Sequence, residues 1–332
     1  MKALIGVLSA LVLCVSAAIA NPSGGGGSAV YPVMALWAQD YAQKTGEKIN
    51  YQPIGSGGGI RQSLSRTIDF GNSDMPMPAA DLDRGKLVQF PILFITIVPV
   101  VNLPGVAAGA LTLDGSVLAD IYAGRIARWN DPAIVRLNPQ LKLPALPIIV
   151  VHRADASGTT FHFTSYLSQA SSHWKTEVGA AAAIDWPIGS AAKGNGGVVA
   201  VLQQTRGAIG YVEYAYAQQS KLAYTSLINH DGVRVSPSME SFRAAAAVAD
   251  FSRALPIPPN PPGPRSWPLT AASYMLLHAD GTSELNRQIV RFLAYAYGEG
   301  RGRAEQLHYV PLPGHVVEEI KAMWAAKLGI TP

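Results

Sequence analysis

Cysteine is nearly missing from this chain: Cys14 is the single one in 332 residues. That excludes a disulfide framework and any zinc or iron–sulfur centre built on thiolates. Charge is scarce too. Asp, Glu, Lys and Arg make up 14% of the residues, against about 25% in an average soluble protein. Nowhere do five like charges follow one another, so a nucleic-acid or anionic-membrane patch has little to be built from. Several catalytic signatures are absent. There is no G-x-S-x-G elbow for a serine nucleophile, no Gly-Lys-Ser/Thr phosphate loop and no complete G-x-G-x-x-G. The seven histidines are scattered, with no pair at metal-ligand spacing beside a carboxylate, which points away from a metal site.

What is present is a hydrophobic fraction of 48%, with 32 glycines and 24 prolines. That is ample for a large core and excludes disorder. The length suits two domains, and the net charge of +4 is a mild excess. Lys2 precedes an uncharged, mostly apolar stretch from Ala3 to Ala20 that ends Ala18-Ile19-Ala20. This is the pattern of a secretory signal, residues 1–20, cut after Ala20, which would carry Cys14 away with it. Phe90 to Leu113 is also uncharged and long enough to cross a bilayer. Pro91, Pro99 and Pro104 interrupt it, so buried strands joined by turns are expected instead.

Strand and helix signals alternate along the rest of the chain. Pro32 to Thr45 has Val33, Trp37 and Tyr41 on one helical face and Gly46 as a stop. Lys48 to Tyr51 alternates like a strand, and Ile60 to Arg66 reads as a helix. Ser116 to Tyr122 and Val316 to Leu328 carry helical spacing. Leu146 to Val151 and Ala208 to Val212 read as buried strands. Such alternation indicates an α/β fold with a parallel or mixed sheet. Leu255 to Pro268 contains a dense group of prolines and reads as a solvent loop or linker.

Two strand–helix junctions are chemically suggestive. Gly55-Ser56-Gly57-Gly58-Gly59 offers a hydroxyl, unpaired backbone N–H groups and a helix dipole, all suited to an anion. A helix capped by Ser56 with flexible glycines would use the same residues. At the second junction, Arg153 and Asp155 precede Ser157-Gly158-Thr159 and a helix from Thr160 to Leu167. Hydroxyls, N–H donors and a guanidinium together fit a tetrahedral oxyanion, although a capped helix with a surface ion pair would look alike. Two such junctions in one chain favour an oxyanion site. Asp74, in Gly71-Asn72-Ser73-Asp74, suits either a general base or a turn cap.

The text around these junctions closely resembles the PstS family of periplasmic phosphate-binding proteins from bacterial ABC uptake systems. The resemblance rests on Tyr51-Gln-Pro-Ile-Gly-Ser-Gly-Gly-Gly-Ile60, Asp69-Phe-Gly-Asn-Ser-Asp74 and Arg153-Ala-Asp-Ala-Ser-Gly-Thr-Thr-Phe161. It continues through Phe163-Thr-Ser-Tyr-Leu167, Trp186-Pro-Ile-Gly189 and Gly207-Ala-Ile-Gly-Tyr-Val-Glu-Tyr-Ala-Tyr216. It runs from about Ser28 to Trp324.

The resemblance implies a type II periplasmic-binding-protein fold: two α/β lobes, 21–94 with 270–332 and 95–269, joined by two crossover strands around a ligand cleft. It implies phosphate donors at Ser28, Ala29 (through its backbone N–H), Ser56, Arg153, Ser157, Gly158 and Thr159. Asp74 would accept a proton of the ligand, and Asp155 would hold Arg153. Ala29 stands where the family carries phenylalanine, keeping the backbone donor and losing an aromatic wall. Gly197 and the loop at 255–268 also depart from the family pattern. The implied partners are inorganic phosphate and inner-membrane permease subunits, with no nucleic acid, no cofactor and no metal, for a monomer in the periplasm. Other functions that these residues would suit are a phosphate sensor or scavenger without a transporter, a receptor for sulfate or molybdate, and a secreted phosphatase using Asp74 or a serine.

Overall fold

The computed structural model describes residues 21–280 and 284–332. The expected signal segment, 1–20, with its cut after Ala20, lies outside the described residues. Among those, the strands in chain order are β1 (Ser23–Gly26), β2 (Asn50–Gln52), β3 (Phe70–Ser73), β4 (Leu87–Val101), β5 (Thr112–Leu113) and β6 (Ile149–Arg153). There follow β7 (Ser190–Ala192), β8 (Ala208–Glu213), β9 (Ala223–Tyr224), β10 (Ser226–Ile228), β11 (Arg234–Val235) and β12 (Thr270–His278). One mixed sheet has the order β2-β1-β3-β12-β4-β8-β6-β7, with β9 also on β4, and a small sheet has the order β11-β10-β5. The three strands β2-β1-β3 are mutually parallel, as are β8-β6-β7, whereas β4 and β12 run antiparallel to their neighbours.

Strand β4 joins the two halves. Its residues Leu87–Thr96 pair with β12, and Ile97–Val101 pair with β8. It is buried along its length except at Gln89. The expectation of buried strands joined by turns over 90–113 holds, since turns through 102–111 join β4 to β5; Pro91 and Pro99, however, do not break β4, and they sit where a missing N–H does little harm. Pro91 lies at a register shift opposite Ser273 and Tyr274, and bulges tolerate proline. The carbonyl of Pro99 accepts from Thr225 N at 2.9 Å. A residue's N–H and C=O face the same side of an antiparallel strand, so the N–H missing at Pro99 is not one that β8 needs. Among the described residues no helix is long and apolar enough to cross a membrane.

The helices follow local signals closely. Tyr31–Thr45 has proline in its first turn and Gly46 in the left-handed region at its end, and it buries Val33, Met34, Trp37 and Tyr41. Helix Ser56–Leu64 packs on β1 and β3, and helix Gly194–Gln204 packs on β6 and β8. Gly115–Tyr122, Gly158–Ala170 and Gly314–Leu328 cover the other stretches expected to be helical. The 255–268 segment lacks regular structure, as its prolines require, but it is not a solvent loop. Ile257 and Trp267 are buried, and Trp267 Nε1 donates to the carbonyl of Ile97 at 2.8 Å. The loop thus plugs the point where β4 changes partners. One large hydrophobic cluster runs through both halves of the molecule, and Met77, Leu87 and Leu276 form a small second one.

Candidate functional site

In the half that contains β1 and β3, three loops at the strand ends converge. After β1 the chain turns through Gly27, Ser28 and Ala29 into helix Tyr31–Thr45. Ser28 and Ala29 are buried, and Ala29 O accepts from Tyr309 OH at 2.6 Å. After β2, Gly55 takes φ +84° and caps helix Ser56–Leu64. Ser56 is therefore not the cap, as one reading of the sequence had it, but the first helical residue. Its hydroxyl faces Asp74, accepting from Asp74 N at 3.1 Å and lying 3.4 Å from Asp74 Oδ2. The following glycines serve close packing. A Cβ on Gly59 would lie 2.4 Å from Asn72 O, and one on Gly57 would lie 2.5 Å from Ala156 Cβ.

Asp74 follows β3 and is buried. Burial pushes its carboxyl up to about 6; hydrogen bonds from Ser273 and Ser56 and the charge of Arg153 oppose the rise. Ser273 Oγ donates to its Oδ1 at 2.8 Å.

The other half supplies Arg153, at the end of β6. Its Nε donates to Asp155 Oδ1 at 2.8 Å, and Nη2 grips Asp155 Oδ2. The side chains are 1% and 14% exposed, so this is a buried pair and not the surface ion pair that the sequence also allowed. Burial alone would raise the Asp155 carboxyl. The bonds and charge of Arg153, with the N–H of Gly194, outweigh it and hold the group below the usual carboxylate range. Ser157 caps helix Gly158–Ala170, accepting from Thr160 N at 3.2 Å, and its O–H remains able to donate. Gly158 and Thr159 occupy the first turn, where backbone N–H groups have no intrahelical acceptor. Arg153 Nη1 lies 3.4 Å from Thr159 Oγ1.

The two halves meet at this point. Asn195 donates to Ser28 Oγ through its N at 3.1 Å and its Nδ2 at 2.9 Å. Tyr216 OH donates to Ser28 O at 2.9 Å, and Gly57 N donates to Ala156 O at 3.0 Å. His162 Nε2 contacts Asp74 O at 2.6 Å. A Cβ on Gly158 would fall 2.5 Å from Asp74 Cβ and 2.8 Å from Ser56 Oγ. The residues singled out from sequence are thus brought together across one buried junction. Four others there were not singled out: Asn195, Tyr216, His162 and Ser273. Tyr216 ends the stretch Gly207–Tyr216 and Asn195 stands in the first turn of helix Gly194–Gln204, which are usable signals. Nothing local marks Ser273.

Chemically, the junction combines neutral N–H and O–H donors, a guanidinium already neutralised by a carboxylate, and one carboxyl, Asp74, able to accept. Among the described residues no cluster of three or more His, Cys, Asp or Glu could hold a metal ion.

Comparison with known proteins adds to this picture. A sequence model described as the PBP superfamily domain matches residues 15–299. The phosphate-binding protein PstS of Pasteurella multocida strain Pm70 is 49% identical over 310 residues, covering 92% of this chain and 90% of that protein. The phosphate-binding protein PstS of Xylella fastidiosa strain 9a5c is 47% identical over 309 residues, covering 92% and 85%. Among solved structures, the high affinity periplasmic phosphate-binding protein PfluDING, bound with phosphate, superposes with a TM-score of 0.69 at 21% identity, covering 91% and 93% of the two chains. The phosphate binding protein of Stenotrophomonas maltophilia gives 0.68 at 17% identity, covering 92% and 94%. At these identities the structures speak for the two-lobed α/β fold.

Proposed function

The chain belongs to the PstS phosphate-binding proteins of the PBP superfamily, and on that premise we propose that it captures inorganic phosphate between its lobes and delivers it to an ABC permease. The lobes are 21–94 with 270–332 and 95–269, with β4 as one crossover. Ser28, Ser56, Arg153, Ser157, Thr159 and the N–H groups of Ala29, Gly158 and Thr159 donate to the phosphate oxygens. Asp74 accepts the ligand's own O–H, and Asp155 holds Arg153.

The observation that carries this reading is the lone acceptor among donors, Asp74 facing Gly158 and Ser56 in a buried junction. An ionised carboxylate repels any fully ionised oxyanion. Phosphate keeps a proton at neutral pH and satisfies the carboxylate, whereas sulfate would set two acceptors against each other. Sites built around a ligand hydroxyl reject such analogues by about 10⁴–10⁵. Micromolar affinity needs about 8 kcal/mol, and hydrogen bonds to charged groups give about 1.5–3 kcal/mol each. The donor set therefore covers the requirement with a margin for lobe closure.

The same geometry favours a receptor over a phosphatase. His162 Nε2 is committed to a backbone carbonyl, and Ser157 caps its helix, so neither is arranged as base and nucleophile. Residues 1–20 act as the export signal, and the mature chain works as a periplasmic monomer.

The test is calorimetric titration of the mature chain, freed of carried-over ligand, with phosphate and sulfate. One phosphate per chain at micromolar affinity or tighter, with no sulfate binding, is expected. Equal binding of the two anions would overturn the reading, and turnover of a chromogenic phosphate ester would overturn the receptor assignment.

A further inference from the structure

His162 follows directly on Arg153–Phe161, the stretch that forms the second strand–helix junction. It lies one turn beyond Gly158 on helix Gly158–Ala170, and its ring is buried. Its Nε2 lies 2.6 Å from the carbonyl oxygen of Asp74. A carbonyl only accepts, so Nε2 carries the hydrogen. The helix belongs to one half of the sheet and Asp74 to the other. The bond therefore crosses the junction and holds the main chain of the residue whose carboxyl faces the anion.

We propose that His162 is a positioning residue that fixes the Asp74 main chain only when the lobes are closed, and that this contact makes capture weaken in acid. The proposal rests on the phosphate reading of the site given above.

The acid sensitivity follows from what closure does to the ring. Burial pushes the imidazole down to about 4, with the bond to Asp74 O opposing. Opened to water, it would return to the ordinary value near 6.5. Closure below that value must shed a proton, and so weakens by up to about tenfold per pH unit. The charged and titratable groups gathered there are Asp74, the Arg153–Asp155 pair, Glu213, and the phenols of Tyr51, Tyr211, Tyr216 and Tyr309. Arg153 is paired with Asp155, and the buried phenols and Glu213 are pushed further toward their neutral forms. Asp74 has the opposite demand, since its carboxyl is raised in the closed form and closure takes up a proton. A ratio between variants that keep Asp74 isolates the histidine.

The experiment measures phosphate affinity from pH 8.0 to 5.0 for the mature chain, His162→Gln and His162→Val. Glutamine keeps a neutral N–H near the Nε2 position; valine removes it. At pH 7.5, Gln should bind within about threefold of the parent and Val about tenfold or more weaker, the cost of a buried acceptor left unpaired. The parent-to-Gln ratio of Kd should be flat above pH 7.5 and rise roughly fivefold between pH 6.5 and 5.5. Equal affinity of all three at pH 7.5 overturns the positioning role, and a flat ratio down to pH 5.0 overturns the acid sensitivity. Failure of the parent itself to bind phosphate would instead overturn the site reading, and this proposal with it. Ligand-free melting curves show whether Val folds; if it does not, Gln alone decides through its pH ratio.

Discussion

Ser273, on β12, donates its hydroxyl hydrogen to Asp74 Oδ1 at 2.8 Å from the middle of an otherwise largely apolar strand. The bond favours the ionised carboxylate, which burial disfavours. Ser273→Ala should therefore raise the Asp74 carboxyl above its present value of about 6. A carboxyl that stays neutral to higher pH can donate to sulfate. Competition of sulfate against phosphate, followed from pH 5.5 to 8.5, should set in at higher pH in the variant. An unmoved profile would remove Ser273 from the selectivity of the site.

Asp74→Asn tests the same carboxyl through lobe closure. In the fold its value is raised from 3.8 to about 6. A raised acid contributes stability that is complete below its unfolded value and is lost as pH climbs through its folded one. That value belongs to the closed form, so ionised Asp74 costs closure of the ligand-free protein up to about 3 kcal/mol above pH 6. Asparagine avoids that cost. The ligand-free variant should be more compact than the parent in small-angle scattering at pH 8, with the difference gone at pH 4, and its rejection of sulfate should fall at least tenfold, well within the range expected of a hydroxyl-specific site. Equal radii at pH 8 would contradict the raised carboxyl.

Asn195 links the lobes through Ser28 and also accepts from Glu213 N at 2.9 Å. Asn195→Ala removes the Nδ2 donor to Ser28 without adding charge, and the Glu213 N–H that it also frees lies on the same side of the junction as Asn195. Because the lost bond exists only when the lobes are together, phosphate release should quicken while its binding rate holds. One net hydrogen bond of about 1–1.5 kcal/mol corresponds to a five- to tenfold faster off-rate. Stopped-flow kinetics separates the two rates, and a change confined to the on-rate would refute the link.

How far the sequence revealed this site depends on where each group comes from. Arg153, Asp155 and Ser157–Thr159 share one strand–helix junction, so a single stretch of text carries them together. Ser56 and Asp74 belong to similar short junctions. The residues that were not legible act over distance: Ser273 reaches Asp74 across 199 positions, and Asn195 reaches Ser28 across 167. No local spacing encodes such pairings. The fold shows the same division. The helix ending at Gly46 was readable from its stop signal. The unbroken β4 was not, because a proline's cost in a strand depends on which side the neighbouring strand takes. Ser56 looked like a cap because it is a serine before a helical run, yet Gly55 with φ +84° fills that position.

Gly158→Ala separates folding from closure. Gly158 lies in a helix and has no positive φ, so alanine suits its backbone and should favour the isolated helix. The added methyl meets nothing tolerable across the junction, with Asp74 Cβ at 2.5 Å and Ser56 Oγ at 2.8 Å. Those atoms belong to the other lobe and recede when the lobes part. The ligand-free variant should thus melt at or above the parent's temperature while phosphate binding suffers. Overpacking of this kind costs about 1–3 kcal/mol, or roughly five- to more than a hundredfold in Kd. Calorimetry gives the affinity, and small-angle scattering with saturating phosphate should show a larger radius than the parent has. Parental affinity in a variant that folds would mean that the lobes do not approach as closely during capture as Gly158 and Asp74 do here.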